Sequence, residues 1–201
     1  MSIAYYWIEM SPAPARTSTE AIVAAARRIL EAGGLASVTM RSVADDVGVK
    51  GPSLYKRVPD RAALLRAVSE SVVADLARTM SRATDSGDPR ADLRAAAVAY
   101  RRFVLGNPNG YRLLFTDLGG TNPDSSSLAA LGEPVVIAMT RLAGPSAALE
   151  GARTFVAWAH GFVSMELAGA FRLGGDLDAA YAFGIDSILA GVSATATPAS
   201  R

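Results

Sequence analysis

Cysteine is absent from the 201 residues, and histidine occurs once, as His160. The first absence excludes disulfides and thiolate chemistry, and it agrees with a reducing cytoplasm, the expected location. Together the two leave no His/Cys spacing that could hold a metal. A serine elbow and a glycine-rich phosphate loop are missing as well. An enzyme built on this chain would have to work through His160, so the expectation is no enzyme, no metal and no cofactor. A stretch of about 20 apolar residues free of charge is also lacking, so no membrane span is expected. The most apolar segment, Thr154 to Phe171, carries His160 and Glu166. The opening MSIAYYWIEM is apolar but has no basic leader and no small-residue cleavage site, so it reads as a flexible tail over 1–15 and not as a signal peptide.

What the chain has in quantity is alanine and other apolar residues, which make up half of it. Runs of β-branched residues are short. That composition favours helix over sheet and is ample for a core. The apolar stripes recur at 3–4 spacing between capping and breaking signals, giving an all-α chain of about nine helices. Thr17-Ser18-Thr19-Glu20 opens the first helix and Gly33-Gly34 closes it. Thr39 caps the second, which ends at Gly48; Pro52 lies in the first turn of the third. Pro59-Asp60 breaks the third helix and caps a fourth that runs to about Arg82. Further helices are predicted from Pro89 to Leu105, after the Asn107–Gly110 turn through Phe115, from Ser127 to Leu142, from Ala147 to Arg172 and from Asp178 to Gly191. The organisation expected is a small head over 16–62, a larger helical body over 63–195, and a frayed tail over 196–201.

Charge is unevenly shared. Arg16 to Glu70 holds nine basic residues and six acidic ones, whereas the rest of the chain carries no basic excess. The basic surplus coincides with the sharpest motif, TMRSVADDVGVKGPSLYKRVPDRAALL from Thr39 to Leu65. It reads as helix, glycine turn, helix, proline break, helix. Val43, Ala44, Val47, Val49 and Leu54 can lock the first two helices at a steep angle, so that the second projects into a major groove while the first crosses the phosphates. Residues suited to DNA then follow: Thr39 and Arg41 at the start of the first helix, Lys50, Ser53, Tyr55 and Lys56 on the second, Gly51 and Pro52 where backbones must approach, and Arg61 beyond. In isolation Tyr55 could be a core aromatic and Lys56-Arg57 an ordinary solvated face.

The segment resembles the DNA-binding domain of the tetracycline-repressor (TetR) family. Thr39, Ala44, Gly48-Val49, Leu54-Tyr55 and Asp60-Arg61 stand in the family's register, and Ile29 to Thr39 matches the usual end of its first helix. Val58 stands where an aromatic is usual, and Lys50-Gly51-Pro52 replaces a more common serine-basic-glycine run. Farther on, Asn107-Pro108, Tyr111 to Phe115 and Trp158-Ala159-His160-Gly161 resemble the tryptophan-x-histidine-glycine type of TetR ligand domain. The resemblance implies a homodimer formed through the last two long helices, a double-stranded DNA operator of palindromic form, and a small apolar ligand that releases a repressor from it. Ligand-lining candidates are Tyr100, Phe103, Val104, Tyr111, Phe115, Trp158, His160, Phe162 and Met165. Most could equally be core, and a lone histidine on an apolar helix is more often a hydrogen-bonded core residue than a ligand contact. Two other readings stand beside the repressor: a helical adaptor that keeps the helix-turn-helix as scaffold, and a helical enzyme using His160.

Overall fold

Side-chain caps decide where the helices begin. In the computed structural model, which describes residues 18–116 and 122–196, Ser18 accepts the Ala21 N–H, Thr39 that of Ser42, Asp60 that of Ala63 and Asp124 that of Ser127. Each satisfies a donor that would otherwise be orphaned at a helix start and contributes about 1 kcal/mol. The helices are α1 (Thr19–Gly33), α2 (Met40–Val47), α3 (Gly51–Tyr55), α4 (Arg61–Ala83), α5 (Pro89–Gly106), α6 (Pro108–Leu113), α7 (Ser125–Ala143), α8 (Ala148–Leu167) and α9 (Leu177–Ala196). A single 3₁₀ turn, Leu35–Ser37, joins α1 to α2. Among the described residues there is no strand, as the sequence predicts. The expected tail over 1–15 lies outside the described residues.

Three helix ends depart from the sequence reading. The helix predicted to reach Arg172 stops at Leu167, because Gly169 turns left-handed (φ 62°) and the Ala170 N–H reaches back to the Met165 carbonyl at 2.9 Å. This is the helix-ending arrangement that glycine permits without a Cβ penalty. Gly169 therefore ends α8. In the opposite direction, α9 passes through Gly191 and reaches Ala196; Gly191 does not adopt a positive φ, so nothing stops the helix there. The helix predicted through Phe115 ends at Leu113.

Two apolar cores meet along α4. The first gathers Ile22, Leu30, Val43, Leu54, Leu64 and Val68 from α1 to α4. The second gathers Leu93, Val104, Met139, Phe155, Tyr181 and Leu189 from α5 to α9. Leu76 and Met80, in the second half of α4, pack with Ala96 of α5 between them, and Phe103 touches all three groups. The head is also latched to the body by polar contacts. The Glu31 carboxylate of α1 accepts the N–H groups of Asn109 and Gly110 at the start of α6, at 3.1 and 2.7 Å. The Asn109 amide returns two bonds to the Leu30 and Glu31 carbonyls.

The last helix is held on one face only. Tyr181, Ile185 and Leu189 are buried, and Gly184 lies so close to the Trp158 indole that a Cβ would overlap the ring. Asp186 pairs with Arg94, and Asp178 with Arg101, both at 2.6 Å. The outer face is largely bare, with Phe183 76% exposed. Among the described residues α9 is the one helix whose length and composition would suffice to cross a membrane, which composition alone had not led us to expect. Its two acids are tied to arginines of α5, and its inner face is packed against protein.

Candidate nucleic-acid interface and ligand cavity

Five residues cannot hold a helix by themselves. What fixes α3 is its one inward side chain, Leu54, which is fully buried, with Val58 just beyond it also buried. Gly48 closes α2 in a left-handed turn, and the Val49 N–H bonds to the Ala44 carbonyl at 3.0 Å. With Leu54 anchored, Pro52, Ser53, Tyr55, Lys56 and Arg57 all face outward. Tyr55 is 53% exposed, so it is not a core aromatic. Gly51 is half-buried at the base of the helix, and Lys50, immediately before it, is exposed. Among the described residues no carboxylate lies within salt-bridge distance of Lys50, Lys56 or Arg57. The motif thus presents on one outward edge a phenol, a hydroxyl and three cations without a salt bridge, Arg57 within electrostatic reach of Glu20.

The flanking candidates sit differently. Thr39 is exposed, and its hydroxyl is occupied with Ser42 as the cap of α2. Arg41 extends into solvent with only a loose 3.9 Å approach to Asp45. Arg61 gives its guanidinium to the Val38 and Leu35 carbonyls, at 2.7 and 2.8 Å, and so clamps the turn before α2. The basic residues of the head are therefore of two kinds, those spent on the fold and those left on its edge. Spacing in the sequence does not separate them, because the carbonyls that claim Arg61 are more than twenty residues away.

The nine ligand-lining candidates do not converge on one cavity. Tyr111, Phe115 and His160 line an open hollow of about 390 Å³ between α6 and α8, together with Arg112, Thr116, Ser164 and Leu167. Tyr100 borders a separate void of about 30 Å³, room for little more than a water. Trp158 stacks on Tyr181, Phe162 packs edge-on against the same ring, and Val104 is fully buried in the body core. Phe103 bridges the cores, and Met165 is half exposed on α8. None of these last five borders the α6–α8 hollow. All read alike in the sequence because an apolar side chain at helical spacing carries no mark of which neighbour covers it. Arg112 and Ser164, which do border it, were missed because they interrupt no apolar stripe.

A hydrogen-bonded chain leads from the core to the hollow. The Tyr100 and Tyr111 hydroxyls bond to each other, and Tyr111 bonds to Nδ1 of His160. Burial pushes the Tyr100 phenol well up, with its bond to Tyr111 adding to the shift; burial also raises Tyr111. Both phenols therefore keep their protons. The contacts admit either direction of donation; in one of the two orders Tyr100 donates to Tyr111 and Tyr111 donates to Nδ1. That order leaves the imidazole with its own proton on Nε2.

Comparison with known proteins covers both halves. A family profile described as bacterial regulatory proteins, tetR family, matches residues 22–68, and one described as tetracyclin repressor-like, C-terminal domain, matches 93–188. An uncharacterized HTH-type transcriptional regulator of Mycobacterium tuberculosis is 34% identical over 165 residues, which are 78% of this chain and 73% of that protein. A Rhodococcus protein of unknown function superposes with a TM-score of 0.78 at 24% identity, covering 92% of this chain and 99% of its own. A TetR variant from Acinetobacter baumannii, solved with minocycline, superposes with a TM-score of 0.66 at 26% identity over 90% of this chain and 98% of its own.

Proposed function

Because the chain belongs to the tetR family of bacterial regulatory proteins, a family of DNA-binding transcriptional regulators, we propose that it is a cytoplasmic, ligand-released repressor acting as a homodimer on a palindromic operator. The observation that carries this reading is the outward edge of α3, where Ser53, Tyr55 and Lys56 stand over a buried Leu54. In this reading residues 16–62 form the DNA-binding head, and two such heads sit about one turn of DNA apart, ~34–36 Å. Lys50, Lys56 and Arg41 meet phosphates, while Ser53 and Tyr55 reach base edges or the sugar–phosphate wall.

The bare outer face of α9, with Phe183, and the exposed Val156 and Met165 of α8 support pairing through these two helices. An apolar surface of that kind on one chain calls for a cover, and a twofold arrangement of the same face supplies one. A small molecule in the α6–α8 hollow would act through the Glu31 latch. Of the residues that line it, Tyr111, Arg112, Phe115 and Thr116 belong to α6 or directly follow it, and the first turn of α6 is held by α1 of the head. A ligand that prefers a shifted α6 then prefers the head positions that go with it, and it weakens operator binding by that difference in affinity.

The test is fluorescence anisotropy on a duplex selected by the protein from random DNA. Wild type should bind with steep salt dependence, and Tyr55→Ala and Lys56→Ala should each weaken binding about tenfold without loss of helicity, as expected for losing one contact worth about 1.4 kcal/mol. Unchanged affinity in both variants would overturn the reading.

A further inference from the structure

Resting on the ligand-cavity reading above, we propose that the hollow between α6 and α8 is selective for small organic acids, with the carboxylate seated between His160 Nε2–H and Arg112 and a flat ring lying against Phe115. Three observations converge on that chemistry. Tyr111 engages Nδ1 of His160, so Nε2 is the imidazole nitrogen left without a partner among the described residues, and it donates when the Tyr111 proton goes to Nδ1. Arg112, at the mouth, is held only by contacts of 3.4 Å to the Asn109 side chain and the Leu167 carbonyl, and no carboxylate among the described residues pairs with it. No acid among the described residues lines the hollow.

The remaining wall is aromatic. Phe115 is 64% exposed, and its ring meets Tyr111 and His160 at centroid distances of 5.1 and 4.6 Å, which leaves the rest of it uncovered. An amine entering here would meet, among the described residues, a guanidinium and no carboxylate. A wholly apolar guest would bury Nε2–H and the guanidinium without partners, which costs more than either bond returns. A carboxylate satisfies both, and with the guanidinium it can form the paired geometry that arginine favours. The other large groove of the body, between α5 and α9, carries Asp178 and Asp186 in its wall beside Arg94, Arg101 and Arg102, so an entering carboxylate would meet acids there.

The single histidine makes the test direct, since its imidazole gives one set of signals in a nitrogen-15 spectrum. Benzoate, benzamide and benzylamine are titrated in turn into the full chain. Benzoate should shift the His160 Nε2–H signal and bind at least tenfold more tightly than either of the others. In Arg112→Gln that preference should vanish while benzamide binds as before. If benzamide or benzylamine moves the same signal at equal or lower concentration, the cavity stands and the acid preference falls. If none of the three moves it, the cavity reading falls and the preference with it. The wild-type comparison decides both points even if the variant does not fold.

Discussion

The head and the body of this molecule use the same helices to opposite ends. In the head α2 and α3 are short, α1 and α2 start at the caps Ser18 and Thr39, and the inward residues of all three pack into one core that holds α3 in place. In the body the helices are long, and α9 buries one face and leaves the other bare, with Phe183 in the open. The head is complete as a fold, and its unfinished surface is polar and cationic. The body's unfinished surfaces are the apolar face of α9 and the hollow beside His160. In the proposed reading one region meets a charged polymer, and the other meets a second protein surface and a small molecule.

The strongest way to break that contrast is to empty the head core. Leu54→Ala should cost about 2–5 kcal/mol, as large-to-small changes at sealed sites do, and should abolish DNA binding; Leu189→Ala should cost a similar amount through the body core while the head still binds. Denaturant melts read alongside anisotropy would show whether the two regions separate in this way. Equal loss of DNA affinity in both variants would mean that they do not.

Next comes the ion-pair cluster that fastens α5 to α8 and α9. Arg101 forms a forked pair with Glu166, at 2.7 and 2.8 Å, and both side chains are only 14% exposed; it also reaches the exposed Asp178. Arg101→Gln leaves a mostly buried carboxylate without its partner, so unfolding free energy should fall by about 2–4 kcal/mol. Calorimetry would check this, and a change below 1 kcal/mol would show the pair to be dispensable.

A smaller effect on stability but a larger one on behaviour is expected at the latch. Glu31→Ala removes the acceptor for two N–H groups of α6 and should cost about 1–2 kcal/mol. DNA affinity of the free protein should persist, whereas a benzoate-induced loss of that affinity should shrink at least fivefold. Release that proceeds unchanged would place the coupling elsewhere.

The smallest expected effect is on acid stability. Asp92 is buried and accepts both the N–H and the hydroxyl of Ser86; the hydroxyl bond, then the N–H bond, holds its carboxyl below the usual range. A depressed folded value means that the stability it supplies is present above the ordinary carboxylate pKa of about 3.9 and is lost as pH falls through the folded value. Asp92→Asn should therefore flatten the acid limb of a circular-dichroism titration below about pH 4 and leave the neutral region's slope unchanged. A steeper acid limb in the variant would contradict this.

What the sequence makes legible follows the same division. Helix starts are local chemistry, so Thr39, Pro52 and Asp60 announce α2, α3 and α4 without reference to anything distant. The outward edge of α3 is legible too, since Leu54 is the one residue of that helix that must be inside. Arg61 is the exception, because its partners lie across the fold at Leu35 and Val38. In the body the helices are legible but their faces are not. Trp158, Phe162, Val104 and Phe115 all sit on apolar stripes, yet three are packed away and one stands at a cavity mouth. Their fate is set by which helix covers them, and no spacing records that. The end of α8 was lost for a related reason. Gly161, Gly169 and Gly191 look alike in sequence, and only Gly169 turns left-handed.

The central claim is that α3 enters the groove of duplex DNA. Because the chain has no cysteine, Arg57→Cys creates a single attachment point for an iron chelate at the end of that helix. Cleavage of a bound, selected duplex should then fall in two short windows about one helical turn apart, related by the twofold axis of the site. Protection of that duplex without any cleavage near its half-sites would contradict the account.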